Sequence, residues 1–97
     1  MDINMIMRQA QKMQADLKKT QSKLEATIYE GESNGIKIQI NGKCECQSIT
    51  IPEELMDDRE MLQDMLLIAF NNAVSKCDED RETQLGGLTA GLNLPGM

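Results

Sequence analysis

The first part of the chain carries apolar residues at alternating steps of three and four. They stand at Ile3, Ile6, Ala10, Met13, Leu17 and Leu24, with Thr20 filling the one gap. This heptad spacing predicts a helix over residues 3–28 with a narrow apolar seam along one face. Such an apolar seam is normally buried against a partner helix, and a chain of 97 residues has few other apolar segments that could cover it. We therefore expect association with a second copy.

Alternating residues after the helix predict a half-buried strand. Ile36, Ile38 and Ile40 alternate with polar residues, and a β-prone run at residues 27–29 precedes them. Ser33-Asn-Gly35 indicates a turn between the two, because Asn and Gly tolerate positive φ. Asn41-Gly42 predicts a tight hairpin on the other side. The region is therefore expected to form a three-stranded antiparallel meander.

The return strand, residues 43–51, changes parity partway along. Cys44 and Cys46 share one parity, whereas Ile49 and Ile51 share the other. A strand cannot change face without an extra residue, so we expect a bulge or a bend near residues 47–48.

A second long helix is predicted to begin with Asp57 and Asp58, because acids near a helix N-terminus suit the helix dipole. Its apolar stripe is broad enough to cover a sheet; it comprises Met61, Leu62, Met65, Leu66, Ala69, Phe70, Ala73, Val74 and Cys77. Leu67 and Ile68 lie outside that stripe and again indicate a partner. We expect the helix to stop at Gly86-Gly87. The prediction is one α+β domain over residues 1–97, with an ordered core (1–85) and a mobile tail (86–97).

The net charge of −6 is unevenly distributed. Residues 1–26 sum to +2, residues 27–52 to −1 and residues 53–97 to −7. The first helix is thus the net-basic segment, and an anionic partner would have to bind there. Its basic residues fall away from the centre of the seam: Arg8, Lys12, Lys18, Lys19 and Lys23.

The residue types argue against catalysis and cofactor binding. The chain has no His, which excludes Ser-His-Asp and Cys-His sites. No Gly-rich phosphate loop is present. Cys44 and Cys46 have no second pair or His to complete a zinc site. We predict no catalytic residue, no metal, no cofactor and no small-molecule substrate.

The hydropathy pattern indicates a cytoplasmic protein. No apolar run approaches the roughly 20 residues that a membrane span needs. The run from Ile3 to Met7 is too short for a signal peptide. Three cysteines, an odd number, are expected as free thiols in a reducing compartment.

Two binding functions remain open from the residues alone. The basic outer face of the first helix could contact DNA phosphates, with duplex favoured over single strands because aromatic side chains are nearly absent. The same charges could simply solvate the helix, and the protein could be a dimeric protein-interaction scaffold without direct DNA binding.

Several motifs, taken in order, carry a resemblance to a known family. They are Met7-Arg-Gln-Ala-Gln-Lys-Met-Gln14, Ile-x-Ile-Asn-Gly ending at Gly42, Ile-x-Ile-Pro at 49–52, Glu54-Leu55, Asp58-x-Glu60-x-Leu62-x-Asp64, Ala69-Phe-Asn-Asn-Ala73 and Gly91-Leu-Asn-Leu-Pro-Gly96. In order and spacing they resemble the YbaB/EbfC family of bacterial nucleoid-associated proteins across essentially the whole chain.

The resemblance implies a cytoplasmic homodimer that binds duplex DNA, associates with the nucleoid and alters DNA conformation and gene expression. It implies a tweezer-like assembly in which sheets and second helices form the dimer body and helices project from it as arms. The implied phosphate contacts are Arg8, Lys12, Lys19 and Lys23 on the first helix. Lys76 and Arg81, toward the end of the second helix, are further candidates. The resemblance implies neither a catalytic residue nor a cofactor.

Overall fold

The computed structural model describes residues 2–90, with side chains as far as Gly86. The elements are α1 (Ile3–Ala26), β1 (Tyr29–Ser33), β2 (Ile36–Ile40), β3 (Cys46–Thr50), a short 3-10 helix (Glu53–Asp57) and α2 (Arg59–Ala90). The predicted α+β class is confirmed: along the chain, one long helix precedes a three-stranded antiparallel sheet and a second long helix follows it. Most of the predicted mobile tail, residues 91–97, lies outside the described residues.

Helix α1 is capped at its start and ends two residues sooner than predicted. The Asp2 carboxylate accepts a hydrogen bond from the Asn4 amide at 3.0 Å, which satisfies an amide that has no partner within the helix. At the other end, Thr27 is extended and its hydroxyl donates to the Lys23 carbonyl at 2.6 Å. Leu24 is the one buried residue in α1, so the rest of the apolar seam lies open in the single chain.

The turn between β1 and β2 forms as predicted. Asn34 and Gly35 both have positive φ, 49° and 88°, and the strands pair from Ser33 and Ile36 outward. Two successive positive φ values define the turn type that matches the twist of a hairpin. The sequence signal Asn-Gly therefore gives the correct turn at this position.

The tight hairpin predicted at Asn41-Gly42 is wrong. The chain forms a longer loop there, because the Asn41 side-chain oxygen accepts from the amides of Lys43 and Glu45 at 2.9 and 3.0 Å. The positive φ of this loop, 62°, falls at Cys44. The return strand accordingly begins at Cys46 rather than at residue 43.

The predicted bulge is confirmed. Gln39 pairs with Ser48 and Ile40 pairs with Cys46, which leaves Gln47 as the extra residue. Because of this extra residue, Cys46 and Ile49 lie on the same face of the sheet although they are three residues apart. That face also carries Ile38 and Ile40.

Helix α2 packs across β1 and β2 and forms the core there. Ile36, Ile38 and Ile40 are at most 2% exposed, and Ala69, Ala73 and Cys77 of α2 are fully buried against the sheet. The helix comes closest at Gly31, where a Cβ atom would collide with backbone atoms of Ala69 and Ala73. Small residues on both surfaces thus set the distance between helix and sheet.

The predicted end of α2 at Gly86-Gly87 is wrong. The helix runs through both glycines to Ala90. Glycine costs a helix about 1 kcal/mol per residue but does not break the hydrogen-bond ladder as proline does, so surrounding helical residues can carry it through.

The chain is elongated. Its radius of gyration is 19.3 Å, against about 13 Å for a compact domain of this size, and its principal extents are 70 × 26 × 13 Å. Helices α1 and α2 both contribute to this elongation, because at 1.5 Å per residue they are about 36 and 48 Å long. Leu24, near the C-terminal end of α1, is the one buried residue of that helix, and we call α1 the arm and the sheet with α2 the body. This shape fits a tweezer-like fold. Within residues 2–90, no helix has the length and apolarity that crossing a membrane requires.

Candidate nucleic-acid interface

Four basic residues of α1 fall on one line along the helix. At about 100° per residue, Arg8, Lys12, Lys19 and Lys23 lie within roughly 60° of arc, and they extend over about 22 Å. All four side chains are exposed. We call this set the basic stripe. It presents four cations along one side of a projecting helix.

The basic stripe and the apolar seam occupy nearly opposite faces of α1. The middle of the seam lies about 140° around the helix from the middle of the stripe. Lys18 belongs to neither, because it lies about 110° from the middle of the stripe. Asp16 is the one acid bordering the stripe on α1, next to Lys12 and Lys23 around the helix. The cationic surface is therefore directional, and Lys18 is a natural control for it.

Lys76 is engaged with the sheet rather than with the stripe. Its ammonium donates to the Glu30 carbonyl at 2.7 Å, and the neighbouring Asn72 amide donates to the Glu32 carbonyl at 3.1 Å. Both carbonyls belong to β1, which is an edge strand of the sheet. These two α2 side chains therefore cover the outer edge of β1.

Arg81 joins three elements at the base of the arm. Its guanidinium donates to the Gly42 carbonyl in the loop between β2 and β3. Gly42 is buried, and a Cβ there would collide with the Leu24 carbonyl at the end of α1. Arg81, Leu85, Leu24 and Glu25 also line an open crevice between the two helices. The structure thus separates Lys76 and Arg81 from the basic stripe and gives each a partner in the body; their contact with DNA remains a prediction.

A second surface is apolar and lies on the body. No residue of β3 is buried, and Ile49, on the inner face of this strand, is 53% exposed. On α2, Leu67, Phe70 and Val74 lie along one side of the helix, opposite the side that carries Asn72 and Lys76. Because Asn72 and Lys76 reach the β1 edge, this α2 flank faces the β3 side. Together, the α2 flank and the inner face of β3 outline an apolar groove.

The spacing of the apolar residues along α2 predicts that Leu67 is exposed, but it does not predict the apolar groove. Leu67 and Ile68 are 62% and 44% exposed, as expected for residues outside the buried stripe. The groove depends on α2 lying over β1 and β2 instead of over the middle of the sheet, and no local pattern encodes that offset. The parity of Ile49 gives no signal that its face of the sheet is open.

No side-chain cluster suited to a metal ion occurs in the described part of the chain. Cys44 and Cys46 are exposed and Cys77 is buried, all three as free thiols.

Comparison with known proteins gives a consistent family. The profile of the YbaB/EbfC DNA-binding family matches residues 1–92. A nucleoid-associated protein of Clostridium novyi is 43% identical, over 100% of this chain and 89% of its own. A nucleoid-associated protein of Rickettsia prowazekii is 39% identical, over 97% of this chain and 92% of its own.

A solved structure shares the fold. The crystal structure of an uncharacterized protein from Helicobacter pylori superposes with a TM-score of 0.77, covering 91% of this chain and 97% of that one, at 23% identity. The profile match over nearly the whole length, together with the identity to the two bacterial relatives, leads to one conclusion: this chain belongs to the YbaB/EbfC DNA-binding family, which is not a known class of enzyme.

Proposed function

We propose that this protein is a nucleoid-associated protein of the bacterial cytoplasm that binds duplex DNA as a homodimer. The contacts are mainly to phosphates and come from the basic stripe: Arg8, Lys12, Lys19 and Lys23. Binding by two such arms alters DNA conformation and, through it, gene expression. The observation that carries the proposal is the alignment of four exposed cations on one side of a projecting helix in a member of a DNA-binding family.

Phosphate contact suits the residue types on α1. Lys and Arg neutralise phosphates and release counterions without reading the sequence, which makes binding tolerant of sequence and sensitive to salt. Single-strand binding relies on stacking against aromatic side chains. The chain has one Phe and one Tyr; Tyr29 is buried, and Phe70 is on the body. Duplex DNA is therefore the favoured ligand.

The projecting arm reconciles a basic site with an acidic protein. Eight acids lie in two groups on the body, at residues 57–64 and 78–82. Salt screens exposed charges beyond about 8 Å at physiological ionic strength. Helix α1 is about 36 Å long and meets the body only at its C-terminal end, so the outer part of the stripe lies beyond the reach of most of those acids. Arg8 and Lys12 benefit most from this separation.

Lys76 and Arg81 take a smaller share in the proposed contacts. Each uses part of its donor capacity on a backbone carbonyl of the body. Both sit close to acids on α2, including Asp78 and Asp80, that would repel phosphate. Any contact they make with DNA is at the base of the arm.

The apolar groove supports the homodimer. In a single chain, Leu67 and Ile49 are more than half exposed, which is costly for a monomer. A two-fold axis beside α2 would place each α2 flank against the inner face of the partner's β3, so that one apolar surface covers the other. Sheets and second helices then form the dimer body, and the two α1 helices project from it as arms.

Charge reversal on the stripe tests the proposal. Lys12→Glu with Lys19→Glu should abolish the shift of a duplex in a gel at low salt while leaving the dimer intact. The matched control is Lys18→Glu with Lys37→Glu, which changes the net charge equally at exposed positions outside the stripe. The control should retain binding to within a few fold. Equal loss in both variants, or none in the stripe variant, would remove the stripe from the site.

A dimeric protein-interaction scaffold is the second candidate, and the exposed Leu67 and Ile68 favour it. It predicts no salt-sensitive DNA binding and a protein partner whose binding depends on these two side chains. Lys12→Glu with Lys19→Glu would then have no effect on partner capture, whereas Leu67→Asp would abolish it.

A further inference from the structure

Two of the three cysteines meet at the base of the arm. Cys77 is fully buried under the sheet, and its thiol lies 3.8 Å from the Gly42 carbonyl oxygen. Cys44 follows two residues later in the same loop, is exposed, and donates its amide to the Asn41 carbonyl at 2.9 Å. The loop therefore contacts the buried Cys77 thiol at Gly42 and carries the exposed Cys44 thiol two residues further along.

The surroundings of Cys77 shift the pKa of its thiol. Burial raises the pKa of Cys77, the adjacent Cys44 thiol raises it further, and the Arg81 guanidinium acts in the opposite direction. Cys44 is also held in a backbone conformation, φ 62°, that non-glycine residues rarely adopt. Such outliers concentrate at sites with a functional constraint. Cys46, by contrast, directs its thiol to the Ser48 carbonyl at 3.7 Å.

We propose that Cys44 and Cys77 form a reversible intramolecular disulfide that fastens the β2–β3 loop to α2. The oxidant is a low-molecular-weight disulfide such as oxidised glutathione. The Cys44 thiolate attacks one of its sulfurs and expels one small thiolate. The Cys77 thiolate, after losing its proton to solvent, attacks the Cys44 sulfur of the mixed disulfide and expels the second. Two protein thiols are thus oxidised, and one small disulfide is reduced to two thiols.

The position of this bond couples it to the arm. The Gly42 carbonyl accepts from Cys77 and Arg81 of α2, while the Gly42 backbone packs against the end of α1 at Leu24. A covalent link between the loop and α2 would fix this junction, from which α1 projects. In a reducing compartment such bonds are transient and act as redox sensors.

The test is a peptide map of the full-length dimer after incubation with oxidised glutathione and alkylation of the remaining thiols. Trypsin cuts after Lys43, Arg59, Lys76 and Arg81, so Cys44 and Cys46 share the peptide 44–59 while Cys77 lies in 77–81. We expect these two peptides to be joined by a disulfide that a thiol reductant reverses. The link should persist in Cys46→Ser and disappear in Cys44→Ser, an exposed position where the fold tolerates the change. The oxidised protein should also melt about 5–10 °C higher than the reduced one.

Four results would overturn the proposal. They are a disulfide confined to the peptide 44–59, a covalent dimer through Cys46, a mixed disulfide at Cys44 that never closes onto Cys77, and the absence of any linked peptide at an excess of oxidant. Circular dichroism of Cys44→Ser would show that loss of the link does not reflect loss of the fold.

Discussion

Gly31 shows how a single residue sets the packing of the body. A Cβ at this position would collide with the carbonyl oxygen of Ala69 and approach the amide nitrogen of Ala73 to 2.5 Å. Both obstacles are backbone atoms of α2, which cannot rotate away as a flexible side chain could. Replacement by any larger residue must therefore move the helix off the sheet.

We expect Gly31→Ala to lower the free energy of unfolding by about 2–3 kcal/mol or more, because overpacking separates α2 from β1. Gly86→Ala is the matched control, since no described atom beyond the neighbouring backbone of its own helix lies within 4 Å of a Cβ there. As a helical position it should gain roughly 0.5–1 kcal/mol. Denaturant unfolding at one protein concentration measures both changes. Equal effects of the two substitutions would contradict the close approach.

Tyr29 gives the body a pH-dependent contact. Burial, together with the hydrogen bond from its hydroxyl to the Asp80 carboxylate at 2.7 Å, raises the pKa of Tyr29 to about 12. The native state therefore holds the phenolic proton over a range in which the unfolded chain, with a pKa near 10, has lost it. The contribution is complete below about pH 10 and is lost as the pH rises toward 12.

Between pH 10 and 12, ionisation of Tyr29 should lower the free energy of unfolding of the wild type by about 2 kcal/mol. Tyr29→Phe has no ionisable hydroxyl and should not show this decrease. The variant loses the Asp80 contact and is less stable than the wild type at neutral pH, so its stability curve should be flatter at high pH. Unfolding free energies measured at several pH values between 8 and 12 test this. Parallel curves for the two proteins would refute the contact's role.

At the scale of the elements, the sequence predicts what depends on neighbours along the chain. The helix spacing, the Asn34-Gly35 turn and the bulge near residue 47 follow from periodicity and parity. The predictions that are wrong concern positions where contacts with residues distant in sequence determine the local structure. Gly42 serves the close approach of α1 rather than a tight hairpin, and the Asn41 side chain builds a longer loop instead. The four-residue extension of α2 past Gly86 reflects its helical context rather than the preference of either glycine.

The bulge in β3 gives a direct test of the element-level account. Gln47 is the unpaired residue between Cys46 and Ser48, so its deletion leaves the remaining residues in register with β2 and Ile49 on the same face. We expect deletion of Gln47 to change the unfolding free energy by no more than about 1 kcal/mol. Deletion of Lys37 from β2, which shifts the buried isoleucines by one parity, should abolish folding. Circular dichroism and denaturant unfolding distinguish the two; failure of both deletions would show that the bulge is essential.

At the scale of the whole molecule, charge and apolar surface are divided between two regions. The arm carries the basic stripe, and the body carries the acids and the apolar groove. The sequence predicts this division in outline from the charge of its segments, and the heptad spacing predicts that the basic residues lie away from the seam. The choice of Arg8, Lys12, Lys19 and Lys23 as DNA contacts comes from the family resemblance and stays a prediction. No local pattern predicts that α1 stands away from the body, because that depends on contacts at Gly42, Arg81 and Leu24 that are distant in sequence; projecting helices are expected from the family resemblance alone.

The groove leads to a prediction about assembly. Leu67→Asp with Phe70→Ser should convert the dimer to a monomer at micromolar concentration, because both substitutions place polar groups in the proposed interface. Ile3→Asp with Met5→Ser is the matched control; it changes the exposed tip of the arm and should leave the dimer intact. Sedimentation equilibrium measures the outcome. A variant at the arm tip that dissociates the dimer would locate the interface on α1 instead.

The central claim is that cations on two arms bind duplex DNA by neutralising phosphates. The most direct test is the affinity of the dimer for a mixed-sequence duplex over a series of salt concentrations. If both basic stripes engage fully, the plot of log K against log salt concentration should fall linearly with a slope of about −7, and the neutral replacements Lys12→Gln with Lys19→Gln should reduce the slope by about half. An affinity that does not change with salt, or no binding at low salt, would contradict the account.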